Sequence, residues 1–140
     1  MNTEKFIRVT MLFKKNPNFS DEKFHEYWAH THGTLCIDWM KRYGIIRCNQ
    51  GHVVKTGMQF VENKLPGWPT AQFDAIEDFY VRELKHFTDA ILDDYYQKVL
   101  LPDAGVFADC ASLLLLVSED YILLDDDKVV EHHERSYHVS

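Results

Sequence analysis

The stretch FHEYWAHTHGTL, residues 24–35, constrains this chain more than any other. Apolar and small side chains recur in it at helical spacing, so it predicts a helix whose stripe around Trp28 faces a core. Gly33 weakens that helix next to two histidines, His30 and His32. Groups able to move protons near neutral pH therefore lie among aromatic rings able to hold a flat compound.

Segments rich in strand-forming residues lie before and after this helix, and turn residues separate them. The predicted strands span residues 6–13, 45–53, 71–81 and 112–124. The predicted helices span residues 20–43 and 83–100, with a short helical turn at 102–107. The order β-α-β-β-α-β predicts an α+β fold with a ferredoxin-like sheet that carries its helices on one face. The other face would be apolar, and a second copy of the sheet could cover it.

Alternation along the strands assigns their side chains to faces of the sheet. Cys48, Gln50 and His52 share one face of the second strand. In the third strand, Asp74 lies on the face opposite to Glu77. Alternation thus assigns each of these polar side chains to one face of the predicted sheet.

The segment 55–69 contains two glycines and two prolines and shows little periodicity, which predicts a long loop between the second and third strands. Loops of this length are often lids over a binding site. Trp68 near the end of the segment is therefore a candidate for contact with a ligand.

Length and charge exclude several classes of protein. The 140 residues, 46% of them hydrophobic, predict one domain over 1–140, with a core at 6–124 and a polar tail at 125–140 that wraps a partner or remains mobile. A formal charge of -7 repels nucleic acids and anionic membrane surfaces. The N-terminus lacks the apolar core of a secretory signal, and the longest apolar run, 113–117, is too short to span a bilayer. We expect a cytoplasmic protein with no nucleic acid or membrane partner.

Three cysteines, Cys36, Cys48 and Cys110, are an odd number without paired spacing, which favours reduced thiols over disulfides or a zinc site. Residues two apart on a helix point to nearly opposite sides, so His30 and His32 do not predict a metal site. The chain has no GxGxxG, GxSxG or phosphate-binding glycine loop. Any chemistry is expected to rely on side chains alone, without a cofactor.

Several motifs occur together along the chain. They are RVTMLFKKNPNFSDEKFHEYW, a histidine, His32, four residues after Trp28, and then YGIIRCNQGHV, AQFDAIEDFYV and PDAGVFAD. With these motifs the chain resembles the EthD superfamily, a branch of the dimeric α+β barrels, from about residue 8 to 124. Within that superfamily it is similar to small fungal proteins of aromatic polyketide pathways described as decarboxylases, such as those acting on atrochrysone carboxylic acid. The resemblance implies a cofactor-free homodimer paired sheet to sheet, with a cavity between the sheet and helices of each monomer.

The resemblance also implies roles for particular residues. The helix histidine of the family matches His32, the Gln and His of its second strand match Gln50 and His52, and its third-strand Asp matches Asp74. We expect His32 to be a general acid/base, and His52, aided by Gln50, to hold or polarise a phenol or carbonyl oxygen. Asp74 would orient one of these imidazoles. Cys48 departs from the aromatic residue that many relatives carry.

Three aromatic side chains, Tyr27, Trp28 and Trp68, are expected to form flat walls for a fused-ring substrate. The predicted function is decarboxylation of an aromatic polyketide carboxylic acid. A cyclase or dehydratase, or a cofactor-free anthrone oxygenase, would use the same groups. A non-catalytic dimeric carrier of an aromatic compound would need only the walls. Structural roles also remain open, since His52 could be a satisfied strand residue and Asp74 a turn cap.

Overall fold

Four strands form one antiparallel sheet in the computed structural model of the chain, which describes residues 1–138. They are β1 (Ile7–Lys15), β2 (Ile45–His52), β3 (Ala75–Val81) and β4 (Ala108–Glu119). Their order across the sheet is β2-β3-β1-β4. This topology, with helices on one face, confirms the predicted ferredoxin-like α+β fold.

Two groups of helices lie side by side on one face of the sheet and connect its strands; they are called the first and second helical layers. The first contains α1 (Asp21–Glu26), a π-helical segment (Tyr27–His32) and α2 (Gly33–Arg42). The second contains α4 (Leu84–Ile91), a π-helical segment (Tyr96–Leu100) and α5 (Leu101–Phe107). Between β2 and β3 lies α3 (Lys55–Lys64). A short 3-10 turn (Thr3–Lys5) opens the chain, and a small hairpin, β5 (Leu124–Asp125) and β6 (Lys128–Val129), follows the sheet.

Alternation in β1 decides which face of the sheet meets the helices. Val9, Met11 and Phe13 are buried on the helix side. Phe13 packs edge-on against Trp28, with ring centroids 5.2 Å apart, and Trp28 is 1% exposed. Fully burying such apolar side chains contributes about 1.5–3 kcal/mol each. The predicted Trp28 stripe of the first helix therefore does face the core.

Part of the opposite face of the sheet is apolar and exposed. Leu12 of β1 lies between Ile76 of β3 and Leu114 of β4 in the strand register. Leu114 is 57% exposed and Leu116 48% exposed. A row of exposed leucines and isoleucine on one sheet face is unusual for a surface that meets only water.

The predicted loop at 55–69 is wrong, because most of it forms α3. Gly57 lies inside this helix, where it costs only about 1 kcal/mol relative to alanine and does not end the helix. No residue of α3 is buried, and none lines the cavity described below. Two strands also differ clearly from prediction: β3 begins at Ala75, and β4 is shifted at both ends to Ala108–Glu119.

The C-terminal tail folds back onto the N-terminal turn of its own chain. The Glu4 carboxylate, 1% exposed, accepts hydrogen bonds from the Ile122 N–H at 2.8 Å and the Glu134 N–H at 2.9 Å. His133 Nδ1 lies 2.7 Å from the same carboxylate. The hydrogen bond from Ile122, together with those from His133 and Glu134, lowers the pKa of Glu4 to about 2.

Within residues 1–138, no helix has the length and apolar character needed to cross a bilayer.

Candidate functional site

A cavity of about 180 Å³ lies between the sheet and both helical layers. A dry cavity of about 150 Å³ can hold benzene, so this one has room for one or two fused rings. Most of its lining is apolar or aromatic; examples are Met11, Phe13, Trp28, Trp39, Phe79 and Phe107. Two groups able to move protons, His32 and Glu77, also line it.

A groove of about 240 Å³ between α2 and β2 shares four lining residues with the cavity. The shared residues are His32, Cys36, Met40 and Glu77. Gln50 lines the groove but not the cavity. The groove therefore adjoins the cavity at these shared side chains, and we treat it as the mouth of the cavity, into which a compound of three rings would extend.

His32 is held at the cavity wall by a carboxylate from the other helical layer. Its Nδ1 lies 2.8 Å from Asp103 Oδ2, in the first turn of α5, and its ring packs 4.8 Å from that of Phe107. A carboxylate only accepts hydrogen bonds, so Nδ1 carries the proton and Nε2 stays free for a ligand. Within residues 1–138 the structure gives Nε2 no hydrogen bond.

Tyr27 binds the second oxygen of the same carboxylate. Its hydroxyl donates to Asp103 Oδ1 at 2.7 Å. This hydrogen bond and burial raise the pKa of Tyr27 to about 12, so the phenol keeps its proton and its donor role. Tyr27 does not line the cavity, contrary to the expected wall role. It supports Asp103, which in turn orients His32.

The π-helical segment Tyr27–His32, which ends in His32, is held by hydrogen bonds from α2 and β2. The Gly33 N–H donates to the carbonyl of Trp28, five residues earlier, which is the π-helical pattern. The Gln50 amide donates to the same carbonyl at 3.1 Å. A Cβ on Gly33 would lie 3.2 Å from that carbonyl oxygen and 3.4 Å from the Gln50 amide nitrogen. Because Gly33 has no side chain, Gln50 of β2 can approach closely enough to hydrogen-bond this segment.

His52 lies outside the cavity, against the far side of the Trp28 ring at 4.6 Å. Its Nε2–H donates to Gln50 Oε1 at 2.9 Å, and its Nδ1 lies 2.7 Å from His25 Nδ1. Burial, followed by the nearby His25, lowers the pKa of His52. Both ring nitrogens are occupied, so this histidine supports Gln50 and Trp28 and has no free nitrogen for a ligand.

Asp74 and Trp68 also lie away from the cavity. Asp74 accepts a hydrogen bond from the Lys15 N–H at 2.8 Å and lies 3.7 Å from Lys55 Nζ. Asp74 hydrogen-bonds to neither the His32 nor the His52 imidazole. The carboxylate that orients His32 is that of Asp103. Trp68 is 69% exposed. Of the seven predicted site residues, the structure brings Trp28 and His32 to the cavity and Gln50 to its mouth.

Two polar residues at the site were not predicted from the sequence. Asp103 had no local signal, because the 71 residues that separate it from His32 hide their contact. Glu77 did have one, since it is a carboxylate on the strand face that also carries Ala75 and Phe79, both buried. A charged residue on a buried face indicates a functional or paired group.

Two thiols near the site, those of Cys36 and Cys48, are kept protonated by their surroundings. Burial raises the pKa of Cys36 to about 12 and raises that of Cys48 further, with the Glu77 charge adding to both. Within the described part of the chain, no three His, Cys, Asp or Glu side chains group closely enough to hold a metal ion.

Comparison with known proteins gives relatives that span almost the whole chain. The model of the family described as "EthD domain" matches residues 16–111. The chain is 25% identical over 129 residues to "Conidial pigment biosynthesis dehydratase EthD" of Metarhizium robertsii, covering 91% of each protein. It is 25% identical over 126 residues to "Dehydratase aurZ" of Gibberella zeae, covering 89% of this chain and 83% of the relative. "Decarboxylase dmxR15" of Cryptosporiopsis sp. is 22% identical over 116 residues, covering 81% of this chain and 80% of the relative.

Solved structures share the fold at low sequence identity. An ethyl tert-butyl ether d (EthD) family protein of Bacillus halodurans is 19% identical, with a TM-score of 0.56, covering 83% of this chain and 99% of the other. An EthD-like protein of Ralstonia eutropha is 16% identical, with a TM-score of 0.57, covering 86% of this chain and 96% of the other.

Proposed function

The chain belongs to the EthD domain family, and from that premise we propose that it is a cofactor-independent lyase that decarboxylates an aromatic polyketide carboxylic acid by proton transfer at His32. The observation that carries this proposal is the His32 imidazole at the wall of an apolar cavity, with Nδ1 bound to Asp103. Decarboxylation needs a proton delivered to the carbon that loses CO2. A histidine with one nitrogen fixed and the other free is suited to that transfer.

The proposed decarboxylation proceeds in two steps, protonation of carbon and loss of CO2. The imidazolium Nε2–H of His32 protonates the ring carbon that bears the carboxyl group, which gives a keto-like tautomer. The bond between that carbon and the carboxylate then breaks, CO2 leaves, and the electron pair restores the aromatic ring. Asp103 stabilises the imidazolium before the transfer and holds the ring in one orientation throughout. His32 regains a proton from solvent before the next turnover.

Dehydration is the second candidate reaction. Eliminating water needs a base for a C–H proton and an acid for the departing hydroxyl, and the cavity has both His32 and Glu77 in its wall. Two of the curated relatives named above are called dehydratases and one is called a decarboxylase. Either reaction would use the same His32–Asp103 pair.

Product analysis separates the candidates. The purified protein is incubated with an aromatic polyketide carboxylic acid, with atrochrysone carboxylic acid as the first choice, under air and under nitrogen. We expect CO2 release in both atmospheres and a product that lacks the carboxyl group. Loss of water with the carboxylate retained would support dehydration and contradict decarboxylation, and a requirement for oxygen would contradict both.

We also propose that the protein is a homodimer paired through the uncovered sheet face. That face carries Leu12, Ile76, Leu114 and Leu116, and the last two are about half exposed or more. Burying such side chains contributes about 1.5–3 kcal/mol each, so a second copy would gain several kcal/mol. A partner seated there would also leave the cavity on the other face accessible through its mouth.

Charged substitutions on this face should dissociate the dimer. We expect Leu114→Glu combined with Leu116→Glu to raise the dimer Kd about 100-fold or more, because two apolar contacts become buried charges. Leu92→Glu is the matched control, since Leu92 is 74% exposed outside the sheet. Analytical ultracentrifugation over a concentration series measures the result. A wild-type protein that is monomeric throughout would contradict the proposal.

A further inference from the structure

Glu77 is the central carboxyl group of the sheet on its helix side. In the strand register it lies between Met11 of β1 and Gln50 of β2. It lines both the cavity and the mouth, and is the one Asp or Glu among the lining residues of either. The surface left to its side chain therefore faces the space that a ligand would occupy.

Among residues 1–138, no lysine or arginine forms an ion pair with this carboxyl group. Within residues 1–138 its one hydrogen bond comes from the Cys48 thiol, which donates to Oε2 at 3.6 Å. Neither lysine nor arginine lines the cavity or its mouth. On the same strand, the Asp78 carboxylate is bound by Arg8 at 2.9 Å, and this ion pair lies on the opposite face of the sheet.

Titratable groups from each element around Glu77 line the cavity or its mouth together with it. His32 and Cys36 come from the first helical layer, Tyr96 from the second, Cys48 from β2 and Cys110 from β4. Burial, followed by the nearby Asp78 charge and against the Cys48 hydrogen bond, raises the pKa of Glu77 to about 7. A large fraction of Glu77 is therefore protonated at neutral pH.

A carboxyl group in this position is unfavourable for the fold. Removing an ionised carboxylate from water without a charged partner costs several kcal/mol, and Glu77 is only partly exposed. A methionine or leucine would fill the same space at no such cost. The position is understandable if a ligand completes the hydrogen bonding of Glu77.

We propose that protonated Glu77 donates a hydrogen bond to an acceptor oxygen of the substrate, a carboxylate or ring carbonyl, from the sheet side of the cavity. His32 faces the same substrate from the helix side. The identity of the substrate rests on the proposed function, whereas the binding role of Glu77 does not. Glu77 takes the oxygen-holding role that the sequence assigned to His52.

Deprotonation of Glu77 should affect the binding of anionic and neutral ligands differently. As pH rises through about 7, Glu77 loses its proton and becomes a negative charge in an apolar cavity. An anionic ligand then loses a donor and meets a like charge, whereas a neutral ligand loses only the donor. Affinity for the anion should fall by up to tenfold per pH unit above the pKa.

The test uses two flat probes of similar size, the anion naphthoate and the neutral naphthol, titrated calorimetrically between pH 6 and pH 8. For the wild-type protein we expect the naphthoate Kd to rise about tenfold over this range and the naphthol Kd to change about threefold or less. Glu77→Gln keeps a hydrogen-bond donor but cannot ionise, and it should lose the part of the naphthoate pH dependence that Glu77 causes. Any contribution from His32 is common to all the proteins compared.

Two further variants complete the design. Glu83→Gln removes the same charge from an exposed side chain outside the cavity, and it should behave as the wild type. Glu77→Met removes both charge and donor at similar volume, and should bind naphthoate about tenfold more weakly than the wild type at pH 6. Equal pH dependence in the wild type and Glu77→Gln would overturn the inference. If Glu77→Gln does not fold, wild-type affinity in Glu77→Met at pH 6 would overturn it instead.

These outcomes are independent of turnover. Failure to release CO2 from any polyketide acid, together with Glu77-dependent naphthoate binding, would contradict the proposed function and leave the inference intact. Turnover with no effect of Glu77 on naphthoate binding would do the reverse.

Discussion

Replacing His32 by alanine is expected to lower kcat for decarboxylation about 10²–10⁴-fold, while changing the naphthoate Kd about threefold or less. The imidazole is the group we assign to proton transfer, whereas the apolar walls provide most of the affinity. Steady-state CO2 release and calorimetry on the same preparation measure the two quantities.

His30→Ala is the matched control for this substitution. His30 belongs to the same π-helical segment but is exposed to solvent. We expect it to retain at least about half of the wild-type kcat. Full activity in His32→Ala would contradict the assignment. A wild-type protein that binds naphthoate without releasing CO2, with the same affinity in His32→Ala, would favour the carrier hypothesis, in which the cavity only binds.

Asp103→Asn is expected to lower kcat about 100-fold or more. The carboxylate accepts hydrogen bonds from both His32 Nδ1 and the Tyr27 hydroxyl. An amide has one oxygen, so its NH2 group must face one of these two donors. The imidazole would lose its fixed tautomer and the charge that stabilises its protonated form. The rate of CO2 release under saturating substrate measures the effect.

Tyr27→Phe separates the two partners of Asp103. The phenylalanine keeps the packing against Phe107, with ring centroids 5.5 Å apart, but removes one hydrogen bond from Asp103. We expect kcat to fall about tenfold or less, because the bond to His32 remains. An Asp103→Asn variant with the wild-type rate would show that His32 needs no orienting carboxylate.

The fold could be predicted because its signals are local. Strand alternation and helical spacing gave the order of elements and placed Gln50 and His52 on one face of β2, which in the structure is the helix side. The same alternation placed Glu77 with the buried residues of β3, although its chemistry was not recognised. Trp28 and His32 were identified because one short segment contains both.

The candidate site could be predicted only in part, because its geometry depends on contacts between distant segments. Asp103 reaches His32 through the packing of the two helical layers, and neither residue predicts the other. Asp74 matched a family position but lies on the far side of β3 from Glu77, beside Lys15 and Lys55. In such cases a motif gives the residue and the structure gives its partners.

The role of the π-helical segments also lay beyond sequence reasoning. Gly33 was expected to weaken the helix next to His30 and His32, and its own backbone is regular α-helix, with φ at -55°. The irregular turn lies just before it, where Trp28 accepts hydrogen bonds from Gly33 and Gln50. A second π-helical segment, Tyr96–Leu100, borders the cavity from the other layer. Such segments often occur at functional sites.

A structure of the protein with the decarboxylated product bound tests the central claim most directly. We predict that the product lies in the cavity between the sheet and helices, with the carbon that lost CO2 within about 3.5 Å of His32 Nε2. A product oxygen should lie within hydrogen-bond distance of Glu77. A product bound elsewhere, or one whose reacting carbon faces His52 or bulk water, would contradict the account.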